Sequence, residues 1–140
     1  MQPIIKIATI VGLITEFFGL IALGILGHFL RNRPEFIDEV IREEELSQSA
    51  QELVFWMLDL LGSILGGFVI FLGVVFVINA VLFIKLINER FDEETQHKVF
   101  FYQSIWGGIN IAFNQAVGIA YLISGLSGLN IKKQKNNKEI

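Results

Sequence analysis

A chain of 140 residues is about one domain's worth of polypeptide, and 53% of it is hydrophobic while only 18% is charged, for a mean hydropathy of +0.58. That balance excludes a disordered chain, which needs low hydrophobicity and high net charge. The net charge of −3 lacks the basic footprint of a nucleic-acid-binding domain, and the absence of cysteine excludes disulfides, thiolate metal sites and a cysteine nucleophile.

The gaps between charges set out the architecture. Between Lys6 and Arg31 the only ionisable side chains are Glu16 and His28; there are none between Asp59 and Lys85, and none between Lys98 and Lys132. A hydrocarbon core of roughly 30 Å takes about 20 apolar residues as a helix, and lipid offers no partner to peptide groups left unpaired. Three transmembrane helices are therefore expected, near residues 4–29, 53–87 and 99–131. A cleaved signal peptide is disfavoured for the first, because the apolar run is long, Glu16 interrupts it and only Lys6 precedes it.

After the first span, Pro34 suits the first position of a new helix. Phe36, Ile37, Val40 and Ile41 recur at helical spacing opposite Asp38, Glu39, Arg42 and Glu43, so an amphipathic helix is expected within 34–46. The run Glu43-Glu44-Glu45 reads as a solvated face. Ser49 and Glu52 form a capping box ahead of the second span, which predicts a helix running from near Ala50 to about Glu89 and spanning about 60 Å. Strong tilt or a break at Gly66-Gly67 is the alternative. Asp92, followed by Glu93 and Glu94, reads as the cap of the third helix, so the last two spans are expected to form a long antiparallel hairpin tipped by Arg90, Asp92 and Glu94. Residues 132–140 read as a polar, basic, disordered tail following a single domain, 1–131.

With three spans, the first connection and the tail share one side and carry seven basic residues against four on the other. The excess places the carboxyl terminus in the cytoplasm or its equivalent. Trp56, Phe100, Phe101, Tyr102 and Trp106 sit where aromatic belts are expected.

Helices in lipid associate by close backbone approach and polar contacts. The first span offers Ala8, Gly12, Thr15 and Gly19, and the second offers Gly62, Ser63, Gly66, Gly67 and Gly73. The third carries Gln103, Gly107, Asn110, Asn114, Gly118, Tyr121, Gly125 and Gly128, which would all lie along one face of a continuous helix. Gly12, Gly19, Gly62, Gly66, Gly67, Gly107, Gly118 and Gly125 are the principal helix-packing candidates.

Glu16 lies midway along the first span, where a bare charge costs several kcal/mol. Counted along parallel spans, Asn110, Asn114 and Gln115 lie at similar depth, so Glu16 is expected to carry a proton or to be hydrogen-bonded to Asn114 or Asn110. Asn79 is expected to bond another helix. There is no GxxxxGK[ST] loop, HExxH helix or GxSxG turn, so neither catalysis nor a cofactor is expected. The expected fold is an all-α membrane protein. Its expected role is helix–helix association, as an accessory subunit of a membrane complex or as a small homo-oligomer, with the bilayer and other membrane subunits as partners. The alternative is an oligomeric ion- or proton-linked transporter lined by Glu16, Asn110 and Asn114.

Overall fold

The computed structural model describes residues 1–139, apart from the side chains of Phe36, Lys132, Asn136 and Glu139. Among these residues the structure is helical: α1 is Pro3–Arg31, α2 Glu35–Glu43, α3 Gln48–Ile87, α4 Glu93–Phe113 and α5 Gln115–Glu139. Helices α1 and α3 are long and apolar enough to cross a membrane. Only 22% of the most apolar window of α1 and 11% of that of α3 is buried, whereas the core helix of a soluble domain hides most of such a window.

The contacts divide the chain into two compact units, one of Met1–Gly19 with Val75–Ile140 and one of Leu20–Val74, with α1 and α3 contributing to both. Within the second unit α1 stops where Pro34 removes an amide donor, and Arg33 then anchors α2 to α3. Its Nε donates to Asp38 at 3.1 Å and its NH1 to Asp59 at 2.8 Å and to the Leu30 carbonyl at 2.7 Å, while its guanidinium lies 5.4 Å from the centre of the Phe55 ring. Arg42 of α2 stands 5.8 Å from the centre of the same ring, so one aromatic ring receives two cations. Ile37 and Ile41 of α2 are half-buried and Val40 is exposed; the side chain of Phe36, the fourth residue of the expected stripe, lies outside the described residues.

Helix α3 is unbroken through Gly66-Gly67. Its cap differs from the expected one: Ser47 Oγ accepts from the Ala50 amide at 3.2 Å, so the helix begins a little before Ser49. It ends in a paired reversal, with the Glu89 amide donating to the Leu86 carbonyl and the Arg90 amide to the Lys85 carbonyl, both at 3.1 and 3.0 Å respectively. This geometry needs a left-handed residue, usually glycine, and Glu89 supplies it at φ 55°.

Asp92 caps α4 as expected, accepting from the Thr95 amide at 2.7 Å. Hydrogen bonds from Thr95 hold the Asp92 carboxyl below the usual carboxylate range. A carboxyl depressed by folding contributes its stability above its ordinary titration and loses it as pH falls through the lowered value. Acidification is therefore expected to lower the hydrogen-exchange protection of the Thr95 amide, measured relative to its intrinsic rate at each pH, in the parent but not in Asp92→Asn.

The largest departure from expectation concerns the stretch 99–131. It is not one helix. Asn114 leaves helical geometry at φ −146°, ψ 91°, and the chain turns back on itself, so that α4 and α5 pack against each other along their lengths. Of the eight small and polar residues expected on one face of a single rod, Gly107, Gly118, Gly125 and Gly128 instead lie at close approaches across this short hairpin. Glycine makes the fold-back possible: a Cβ at Gly107 would lie 2.8 Å from the Leu122 amide nitrogen, and one at Gly118 would lie 2.6 Å from the Ile111 amide nitrogen. Further along, Gly125 meets the Phe100 carbonyl and Ser104, and Gly128 meets the Phe100 ring. Lys135 reaches Glu93 at 2.5 Å, tying the far part of α5 to the start of α4. The segment expected as a disordered tail continues α5 to Glu139.

Candidate functional site

The first unit has a polar interior. Glu16 of α1 is 8% exposed, and its carboxylate meets one side chain from each of the other three helices in the unit. Asn79 Nδ2 of α3 donates to Oε1 at 3.0 Å, Trp106 Nε1 of α4 donates to Oε1 at 3.3 Å, and the Tyr121 hydroxyl of α5 donates to Oε2. The Tyr102 hydroxyl donates to Asn79 Oδ1 at 2.5 Å, while Nδ2 of the same amide faces Glu16. Glu16 makes no ion pair among the described residues.

Two turns earlier on α1, a second polar layer crosses the same interior. Thr9 and Ser124 share a hydroxyl–hydroxyl bond of 2.6 Å, Gln103 Nε2 donates to Thr9 Oγ1 at 3.0 Å, and the Ser124 hydroxyl lies 3.3 Å from the Ile5 carbonyl. Thr9, Gln103 and Ser124 are fully buried, and Gln103 Oε1 has no hydrogen-bond partner among the described residues. Apolar packing surrounds both layers: the Tyr121 ring lies over Gly12 and meets Phe83 edge-on at 5.0 Å, beside Leu13, Leu86 and Val117.

The carboxylate–amide cluster expected from the sequence is thus built instead from one other amide, Asn79, with an indole and a phenol. Asn110 Nδ2 donates to the Trp106 carbonyl at 2.8 Å, within its own helix. Asn114 caps α5: its carbonyl accepts from Gly118 at 3.0 Å and its Oδ1 from the Val117 amide at 3.5 Å, while Gly19 lets its side chain approach α1. Gln115 is exposed. The reversal explains the difference. It brings α5 back beside α4, so Tyr121 rather than Asn114 arrives at Glu16. Asn79 bonds α1 and α4, as expected, whereas Trp106 and Tyr102, which looked like interface aromatics, aim their polar ends inward.

The packing glycines fall into two groups. Gly12, Gly19, Gly62, Gly107, Gly118 and Gly125 all sit against a neighbouring helix, Gly62 against Arg31 and the Gly27 carbonyl. Gly66 and Gly67, with Gly73 and Gly108, have nothing within 4 Å of the position a Cβ would take. At the outer end of the first unit a cavity of about 240 Å³ lies among Ile5, Phe100, His97, Gln96, Glu93 and Lys135. Among the described residues no group of three His, Cys, Asp or Glu side chains is placed to hold a metal ion.

The chain matches no protein-family model, no curated protein and no solved structure.

Proposed function

We propose that this chain is an integral membrane protein of two crossing helices, α1 and α3, with α4–α5 as a re-entrant hairpin. Its uncharged arms are short: residues 99–113 extend about 22 Å and 115–131 about 26 Å, less than a hydrocarbon core of roughly 30 Å. The non-helical turn at Asn114 is supported by its own cap and by protein on the α1 side, as membrane depth demands.

On this reading the chain enters and leaves the hairpin at one face of the membrane. Lys6, Lys85, Arg90, Lys98, Lys132, Lys133, Lys135 and Lys138 share that face, against Arg31, Arg33 and Arg42 on the other. The bias favours a cytoplasmic carboxyl terminus, with the 88–92 connection on the same side. Single cysteines at Arg90 and Gln134 are expected to react with an impermeant thiol reagent from one face and a cysteine at Glu44 from the other. Labelling of positions 90 and 134 from opposite faces would restore a third crossing and end the hairpin reading.

Its function is helix–helix association without catalysis, through α3, as an accessory subunit of a membrane complex or as a homo-oligomer. The carrying observation is that glycine meets a neighbour almost everywhere else in the chain, yet Gly66, Gly67 and Gly73 of α3 meet none. Leucine at Gly66 and Gly73 has room within the chain, so the double variant is expected to keep its thermal stability. Light scattering in mild detergent is expected to show an assembled species for the parent and to show its loss in the double variant. An assembly that survives both leucines would refute this role for α3. The alternative, a transport path along Glu16, Asn110 and Asn114, draws less support, because Asn110 bonds the Trp106 carbonyl and Asn114 the Val117 amide rather than Glu16.

A further inference from the structure

We propose that Glu16 and Tyr121 form a proton-binding site, in which one proton is taken up between Glu16 Oε2 and the Tyr121 hydroxyl while Asn79 and Trp106 hold Oε1. The inference goes beyond association through α3 and does not depend on it. It rests on which donors in the cluster can reverse and which cannot.

The two groups on Oε1 are an amide N–H and an indole N–H. An indole nitrogen is a donor only, so Oε1 accepts from Trp106 in either protonation state; the Asn79 amide presents a second N–H to the same oxygen, with its own oxygen meeting the Tyr102 hydroxyl. Oε1 is therefore committed to accepting, as a carboxylate oxygen or as the carbonyl oxygen of a neutral acid. Oε2 has a different neighbour. A phenol hydroxyl both donates and accepts, so a proton arriving on Oε2 is met by a Tyr121 oxygen that rotates its own hydrogen away and accepts. Both protonation states thus fit the same backbone, and only one hydroxyl hydrogen moves. The uptake balances simply: a proton from water forms an O–H bond at Oε2, and release returns it to water.

The same geometry identifies the ligand as a proton and not a metal cation. An alkali or alkaline-earth ion needs several oxygen ligands. Around Glu16 the other contacts present N–H hydrogens, and Tyr121 supplies the lone additional oxygen among its hydrogen-bond partners. The titratable groups facing the site are Tyr121 from α5 and, through Asn79, Tyr102 from α4; α3 presents the Asn79 amide and α1 the carboxylate itself. Because the Oε2 bond joins α1 to α5 across 105 residues of sequence, proton occupancy changes how the hairpin is tied to the first helix.

The protein in nanodiscs offers two readouts. Infrared difference spectra recorded across pH are expected to show a carboxylic C=O band that titrates with a single midpoint and is absent from Glu16→Gln. Tyr121→Phe removes a donor to the charged form and is expected to shift that midpoint upward by about one pH unit, tenfold in proton affinity. Only two tryptophans occur, so a Trp56→Phe protein reports Trp106 emission alone with the site intact. That emission is expected to change with the same midpoint and to stop responding in the added presence of Glu16→Gln. A band that is constant across pH, a midpoint unmoved by Tyr121→Phe, or one that follows sodium at fixed ionic strength would each overturn the proposal.

Discussion

Gly107→Leu is expected to destabilise the α4–α5 hairpin by about 3 kcal/mol, while Gly108→Leu, one residue along the same helix, is expected to leave it intact or slightly firmer. The two glycines are chemically the same and differ only in what they face. A Cβ at Gly107 would press on the Leu122 amide nitrogen at 2.8 Å, the Gly118 carbonyl at 3.0 Å and Tyr121 Cβ at 3.0 Å. Backbone atoms cannot swing aside as a side chain can, so α5 must move away as a whole and take Tyr121 from Glu16 with it. At Gly108 nothing lies within 4 Å, and replacing an exposed helical glycine gains up to about 1 kcal/mol in propensity. Thermal unfolding in detergent, followed by helical dichroism, measures both, and limited proteolysis shows whether the hairpin has come loose. Equal effects at the two positions would mean that α4 and α5 are not packed backbone to backbone.

Glu16→Leu is the second large effect, and its cost comes from the donors left behind. Asn79, Trp106 and Tyr121 each lose their acceptor in an interior without a replacement among the described residues. Each unsatisfied buried group costs about 1–3 kcal/mol, so a loss of at least about 3 kcal/mol is expected even if some relax. Glu16→Gln is far milder, at about 1 kcal/mol, because the amide oxygen still accepts from Asn79 and Trp106 while the Tyr121 hydroxyl turns to accept. The ratio is the informative quantity, since leucine preserves apolar bulk and glutamine preserves the bonds. If leucine proves no worse than glutamine, the cluster does not hold the four helices together.

Much of the architecture is readable from where charges and caps fall. Lys6 and Arg31 bracket α1, Pro34 opens α2 and Asp92 opens α4, because these residues act through local geometry that a linear pattern records. The reversal at Asn114 leaves a fainter trace. An uncharged run shows that a segment avoids water, but says nothing of whether it is straight, and small residues at four-residue spacing suit a single face as well as two faces folded together. The clue was symmetry: Gln103, Gly107 and Asn110 precede Asn114 much as Gly118, Tyr121 and Gly125 follow it. Once the direction of α5 is misread, depth along the helix pairs Glu16 with the wrong side chains. Trp106 and Tyr102 were masked by their composition, which fits an interface belt equally well, and only three-dimensional placement shows their polar ends meeting Glu16 and Asn79.

The bond between Glu16 and Tyr121 spans 105 residues, and that between Thr9 and Ser124 spans 115. Ribosomes add about 5–20 residues per second, so α1 leaves the exit tunnel on the order of ten seconds before α5 exists to complete its polar face. During that interval the acid has neither its phenol nor its indole partner. If α1 and α3 cross a membrane as proposed, a nascent chain of this design depends on whatever receives it at the insertion machinery to shelter a carboxyl group until the last helix is made.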